Sequence, residues 1–515
     1  MHKAHILRLN VRTIIQAIYP RIKNKKSKDT IMSKKPIALI ILDGYGYAKN
    51  SQYNAVTQAN TPYLHKWIKE YPHAILKASG SAVGLADGIM GNSEVGHMAI
   101  GTGQVQDQPL VILNEMIQSG ELNSNQLLID SYNTLNNTDN ALQIIGLLSD
   151  AGVHAHIDHM IAFVNNARAK GVKKIYVHAI LDGRDTPPKS AFGYLEKLES
   201  ALRNHATLAS IHGRFFAMDR DNNWERTAES MEILLSNTDE VKTWQSQLNQ
   251  DYSHNITDEF IPPTLLDPQG TIKSGDGVIF CNVRPDRARQ LTKQILDTVD
   301  LSFFITPVAY DQKLQTITLI EKTKTDNPLL ERLIDKGLSI FSIAETEKYA
   351  HITYFFSGGR EDKYDEEVRV LIPSIKVKSY ADTPCMSAVE ITDMVLDSLE
   401  SNPKDFYLIN YANADMVGHS GNFEATKKAL ECVDEQLGRL YHEIVEQNDG
   451  TMYITSDHGN AEVMYNEKAQ QPATAHTANP VPFIMIQKNI DQEDKKLPLT
   501  ELKDIASFIT ERIKK

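Results

Sequence analysis

The chain reads as an α/β protein with mainly parallel sheets, and three observations carry that reading. Short apolar runs rich in Ile, Val and Leu recur along it, and runs of this kind suit strands covered on both faces. Helical segments separate the runs, the alternation of layered βα units. Charged residues then follow nearly every run, and open α/β sheets place ligand sites just beyond the carboxyl ends of their strands. The third observation makes the chain look like an enzyme.

The runs follow one another in a regular way. Ile37–Leu42 leads into Asp43-Gly44. Ala141–Leu148 leads to Asp150 and His154, and Ile175–Leu181 to Asp182-Gly183-Arg184-Asp185. Val278–Cys281 precedes Arg284-Pro285-Asp286-Arg287, and Leu338–Ile343 precedes Glu345-Thr346-Glu347-Lys348. Phe406–Ile409 is followed by Asp415 and His419, and Met452–Ile454 by Asp457-His458-Gly459. The polar segment Asn237–Asp276 is expected to be rich in loops.

Composition narrows the function classes. The chain has 515 residues, 41% of them hydrophobic and 23% charged, which excludes a disordered or collagen-like protein and predicts two or three domains. No run approaches the roughly 18 apolar residues of a membrane-spanning helix. The net charge of -12 is uneven: residues 1–35 carry ten Lys and Arg against one acid, leaving 44 basic and 65 acidic side chains in the rest. A body that acidic is a poor general binder of nucleic acid. The basic segment 1–31 reads either as a targeting or membrane-surface segment or as sequence upstream of a true start at Met32; the second reading is preferred. Cys281, Cys385 and Cys432 are too few and too scattered for a disulfide framework or a zinc ribbon, which suggests a reducing compartment.

Two constellations suggest chemistry. Asp43, Asp415, His419, Asp457, His458 and His476 make a mixed oxygen and nitrogen set without cysteine, suited to Mn²⁺ or Zn²⁺. Six such ligands exceed the need of one catalytic ion and point to a two-metal site. An isolated Asp-x-x-x-His is more often a surface pair, so the weight lies in the joint placement. Ser93, in Gly-Asn-Ser-Glu-Val-Gly-His, stands where a helix would begin. It is either a plain N-cap or a nucleophile beside a helix N-terminus that favours anions. Metals together with a serine suggest phosphoryl transfer through a phosphoserine.

The segments LDGYGY, GNSEVGHMAIGTG, LLSDAGVHAH, LDGRDTPP, GRFFAMDRD, NVRPDRARQ, AETEKYAHITYFFSGG, YANADMVGHSG, TSDHGNAE and AHTANPVPF occur in this order from about Lys34 onward. In these the chain resembles the cofactor-independent phosphoglycerate mutases, members of the alkaline phosphatase superfamily. The resemblance implies an extension (1–33), a phosphatase-like metal-binding domain (34–107 and 323–515) and an inserted α/β transferase-like domain (108–322). It implies two Mn²⁺ ions, one held by Asp415, His419 and His476, the other by Asp43, Ser93, Asp457 and His458. Ser93 would be the nucleophile, with Lys348 near the transferred phosphoryl group. His154, Arg184, Asp185, Arg214, Arg220, Arg284 and Arg287 would bind the phosphoglycerate, and Asp185 would help deprotonate its hydroxyl. Ala151, Ala155 and Val283 depart from the family pattern near these positions.

With the resemblance, a cytoplasmic enzyme acting on 3- and 2-phosphoglycerate is expected, as a monomer and without nucleic-acid or membrane partners, although the sequence itself does not give the oligomeric state. Because the two sets of residues lie in different parts of the chain, hinge closure about the crossings near residues 107 and 322 is expected. A phosphatase or another phosphomutase sharing the metal cluster, and a non-enzymatic metal or anion binder, are the competing classes.

Overall fold

The computed structural model describes residues 35–513 apart from 50, 137, 204, 236–240, 322–324 and 491–496. The N-terminal extension and the expected crossing at residue 322 therefore lie outside the described residues. Near residue 107 the chain is fastened by the Gln108 amide, which donates to Gly84 O (2.8 Å).

Among the described residues, two seven-stranded sheets organise the molecule. In the first, β1 (Ile37–Leu42) lies between β12 (Phe406–Tyr411) and β13 (Thr451–Thr455) and is parallel to both. β10 (Ile340–Glu345) continues the parallel array beyond β12, followed by β11 (Glu367–Ile372). On the far side β16 (Val481–Ile486) and β2 (His73–Leu76) close the sheet antiparallel. The second sheet centres on β3 (Leu142–Leu148), parallel to β4 (Ile175–Leu181) and β7 (Gly277–Phe280). β5 (Thr207–Gly213) and β8 (Phe303–Thr306) extend it in parallel, with short β6 (Thr264–Leu265) and β9 (Ile317–Thr318) at its edges.

Burial explains why the runs became strands. Leu39, Ile40, Ile41 and Leu42 are buried, with alternate side chains entering the cores on opposite faces of the sheet. Each aliphatic side chain so buried contributes about 1.5–3 kcal/mol, so β1 alone matches the net stability of a typical domain. A charge at Ile40 would break it. The register then does the positioning: Leu42 stands opposite Tyr411 and Ile41 opposite Thr455. Asp43, the loop after Tyr411 and the Ser456-Asp457 turn consequently leave the sheet side by side.

The α/β class with mainly parallel sheets holds. All seven apolar runs form strands. The Asn237–Asp276 segment, expected to be loop-rich, includes a helix, Trp244–Ser253. The reading of the cysteines is corrected: Cys385 and Cys432, 47 residues apart, form a disulfide with Cα atoms 5.6 Å apart, while Cys281 is free and buried. Their scatter in sequence is undone by the packing of the Phe423–Tyr441 helix against the loop that holds Cys385. No helix among the described residues is long and apolar enough to cross a membrane.

Candidate active site

The first cluster forms at the carboxyl ends of β1, β10, β12 and β13. Ser93 is the first residue of a helix that runs to Thr102, but it is not the cap. Asn92 takes that role, its side chain accepting from Val95 N at 3.1 Å. The Ser93 hydroxyl is thereby free to point at the cluster. Its Oγ lies 3.2 Å from Asp43 Oδ1, 3.0 Å from His458 Nε2 and 2.8 Å from Lys348 Nζ. Lys348 Nζ also donates to Asp43 Oδ1 and to Asp415 Oδ2, both at 2.7 Å. His419 and His476 each bring Nε2 within 3.2 Å of Asp415 Oδ1 and within 3.1 Å of each other. Every residue proposed from the sequence for the metal and nucleophile cluster is thus part of one constellation.

Close backbone approach makes this possible. Gly44 has φ 75°, and a Cβ there would lie 2.8 Å from Asp415 Cα. A Cβ at Gly96 would lie 2.4 Å from Asp457 O, so only glycine lets the Ser93 helix sit against that turn.

The electrostatics are set by burial. Asp43, Asp415 and Asp457 are all buried and face a single ammonium. Burial works against charge on Lys348, but Asp43 and Asp415 outweigh it and raise its pKa, so it stays protonated. Asp415 is held well below the usual carboxylate range, since Lys348, His419 and His476 overcome the effect of burial. Three close carboxylates share one ammonium, and burial together with the neighbouring Asp457 raises the Asp43 pKa, the mark of crowded negative charge. Cations relieve such a charge, and the donor set fits them: Asp43, Asp457 and His458 bring ligand atoms within 4.8 Å of one another, as do Asp415, His458 and His476.

Sequence reasoning missed the residues that brace this cluster. His97, wholly buried, has Nδ1 2.9 Å from Ser93 O and 3.1 Å from Asp457 Oδ2. Asn410 donates to Asp43 Oδ2, and Asn460 to Asp415 Oδ1. The spacing of His97 four residues after Ser93, on the same helix face, was the available signal.

The second cluster forms at the carboxyl ends of β3, β4, β5 and β7. Arg214 is buried and donates through Nη1 to Asp182 Oδ1 (2.5 Å) and Asp185 Oδ2 (2.6 Å). Asp286 gathers Arg220 (2.9 Å) and Arg284 (3.1 Å), with His154 Nδ1 at 3.8 Å. His154 Nε2 stands 4.0 Å from Asp185. Arg184 reaches Glu259 at 3.3 Å, and Arg287 donates to Met218 O at 3.2 Å. Burial, then the neighbouring Arg220, Arg214 and Arg184, pull the Arg287 pKa down, the mark of like charges gathered in one place. Burial and Arg214 hold His154 at about 4, so its ring is neutral. The acidic partners Asp182, Asp286 and Glu259 were not singled out as site residues from the sequence. Of the residues departing from the family pattern, Ala155 and Val283 are buried, and Val283 N donates to His154 O (2.7 Å).

A model of the metalloenzyme superfamily matches residues 35–514. A 2,3-bisphosphoglycerate-independent phosphoglycerate mutase of Clostridium novyi is 45% identical over 483 residues, covering 90% of this chain and 94% of the relative. The Legionella pneumophila (strain Philadelphia 1) enzyme of the same name is 43% identical, over 88% of this chain and 90% of its own. Among solved structures, Leishmania mexicana phosphoglycerate mutase, studied at low cobalt concentration, is 30% identical with a TM-score of 0.70, covering 94% of this chain and 96% of that one.

Proposed function

The chain belongs to the 2,3-bisphosphoglycerate-independent phosphoglycerate mutases, within the metalloenzyme superfamily, and from that premise we propose that it interconverts 3- and 2-phosphoglycerate through a phosphoserine on Ser93. One observation carries the reading: a buried serine at a helix N-terminus, with Lys348 Nζ 2.8 Å and His458 Nε2 3.0 Å from its oxygen. A serine freed from capping and set among cationic and ligating groups is placed for nucleophilic attack on an anion.

In this reading the arginines hold phosphoglycerate by its carboxylate and phosphate, which their forked donors match. Ser93 Oγ attacks in line: the Oγ–P bond forms as the bond between phosphorus and the C3 oxygen breaks, and the departing C3 oxygen takes up the proton that the Ser93 hydroxyl gives up. Lys348 neutralises charge on the equatorial oxygens. Glycerate re-orients in the grip of the arginines. Asp185 accepts the proton of the C2 hydroxyl, which takes the phosphoryl group from Ser93 as the Oγ–P bond breaks and the Ser93 oxygen regains a proton. Asp415, His419 and His476 would hold one Mn²⁺, and Asp43, Ser93, Asp457 and His458 a second. When bound, such ions lower the pKa of a hydroxyl and screen phosphoryl charge. Water must be kept from the phosphoserine, and closure of the two sheet-bearing regions on each other would do so.

The test is turnover of 3-phosphoglycerate, coupled to enolase, with no bisphosphoglycerate added. Activity should disappear on chelation, return with Mn²⁺ and resist vanadate. Acid quench during turnover should find phosphate on the peptide containing Ser93. An absolute need for primer would overturn the reading, and release of inorganic phosphate as the main product would favour a phosphatase.

A further inference from the structure

The disulfide lies beside the metal-ligand segment rather than at a remote edge. The bridge encloses residues 385–432, and so both Asp415 and His419. Cys432 is buried on the Phe423–Tyr441 helix, whereas Cys385 is exposed on the loop opposite. Two contacts tie that loop to the ligands. Asn413 Nδ2, at the start of the short helix that carries Asp415, donates to Pro384 O at 2.9 Å. Met386, adjacent to the bridge, is buried in a small apolar cluster with Ala412, Val417, Ala425 and Ala429, whose first two members flank Asp415. Met386 also adopts φ 44°, a left-handed conformation that an unbranched non-glycine side chain holds only when its surroundings compel it.

We propose that Cys385–Cys432 is a reducible clasp: the oxidised bridge holds Met386 and Pro384 against the Asp415 helix, and reduction by a dithiol loosens Asp415 and His419. A thiolate of the dithiol attacks the exposed Cys385 Sγ. The S–S bond breaks, and Cys432 leaves as a thiolate and is protonated. The second thiol of the reductant then displaces Cys385 from the mixed disulfide. Two electrons pass to the protein, two cysteine thiols result and the dithiol becomes a disulfide. Freed of the bridge, Met386 relaxes from its left-handed conformation and the packing beside Ala412 and Val417 slackens. Groups that orient metal ligands without touching the ion typically change affinity by about tenfold or more when lost. The effect on the ion rests on the metal reading above; the effect on the Asp415 helix does not.

The experiment compares the full chain after oxidised glutathione with the same chain reduced by dithiothreitol and desalted without air. Mass spectrometry after denaturing alkylation should count one thiol, Cys281, in the first and three in the second. Amide exchange over residues 412–419 should be faster in the reduced chain, and Mn²⁺ titration should show about tenfold weaker binding of one ion with the other unchanged. Cys385→Ser, with Cys432→Ser as a second variant, should behave as reduced in both treatments. Three thiols after oxidation, or identical exchange over 412–419 in the two states, would overturn the clasp. Equal Mn²⁺ affinity in the two states would remove its link to the ion. If neither state binds Mn²⁺ the metal reading falls, and the exchange comparison still judges the clasp.

Discussion

The Ser93 cluster and the arginine cluster occupy equivalent places on two similar sheets, yet water treats them in opposite ways. The side chains of Lys348 and Asp43 are 5% and 0% exposed, while those of Arg184, Arg220 and Arg284 are 55%, 46% and 49% exposed. One is a buried cluster whose charged groups are desolvated and fixed by several partners each. The other is a set of half-exposed arginines paired with Asp286 and Glu259, which in the proposed reading release those acids for the substrate's anionic groups. In the proposed reading the difference divides the labour: chemistry that needs a fixed geometry is buried, and recognition that must let a substrate in, turn and leave is kept wet. Arg214, buried against Asp182 and Asp185, is the exception, the one arginine of this cluster already fixed in place.

Mutation separates the two most sharply. In the proposed reading Ser93→Ala removes the nucleophile but leaves six side-chain ligands for the ions. Turnover should fall by several powers of ten, about what loss of a serine nucleophile costs elsewhere, with metal content largely kept. More than about a tenth of wild-type activity would remove Ser93 from its role. Arg284→Ala with Arg287→Ala attacks the other side. Each charge-assisted bond contributes about 1.5–3 kcal/mol, so kcat/KM should drop by roughly one hundredfold or more while metal content measured by atomic emission stays the same.

Acid separates them more gently. A hydrogen bond from His419 to Asp415 holds its pKa above the ordinary value; for His476 the same carboxylate outweighs burial. In the metal-free chain these pairs stabilise fully below the ordinary imidazole pKa of about 6.5, and that contribution is lost as pH rises through the raised values. Ion binding needs the neutral rings, so protons compete with it. Activity at limiting Mn²⁺ should therefore fall steeply on mild acidification and recover with excess Mn²⁺. His154 runs the other way. Its pKa of about 4 keeps the ring neutral through this range, and its stabilising contribution is lost only as pH falls from about 6.5 toward 4. An acid loss that excess Mn²⁺ does not relieve would point to the arginine side or to a protonated base. The smallest effect is geometric. If the arginine cluster closes over the Ser93 cluster, X-ray scattering should give a smaller radius of gyration with Mn²⁺ and phosphoglycerate than with Mn²⁺ alone, and the double arginine variant should reduce that change. Identical curves would require another means of excluding water.

The parts legible in the sequence were those whose meaning is local. Ile37–Leu42 and its counterparts read as strands because burial on both faces demands unbroken apolar runs. β5 escaped because Ser210 and His212 are buried yet polar: Ser210 Oγ lies 2.7 Å from both His178 Nδ1 and His212 Nε2, so paired hydrogen bonds take the place of apolar character. His97 was hidden for a related reason. A lone imidazole in a helix says nothing until Asp457 and Asn410, hundreds of residues away, fold against it. The bond between Cys385 and Cys432 is set by tertiary packing, and no spacing rule reaches it. The ligating positions were legible from their joint placement after strand-like runs, whereas the substrate arginines were legible only through the long motifs, since each taken singly is an ordinary surface pair.

The placement of β1 has a consequence for how the molecule is made. Both neighbours of β1 come from residues 406–455, so the strand leaves the ribosome long before either partner exists. At about 5–20 residues per second, the 363 residues between Leu42 and Phe406 take on the order of half a minute to emerge. Throughout that interval Ile-Ala-Leu-Ile-Ile-Leu lacks both of its sheet neighbours, and before it ends every strand of the second sheet, residues 142–318, has been delivered. The intervening unit is therefore free to fold first, and the nascent chain must shelter β1 until its C-terminal third arrives.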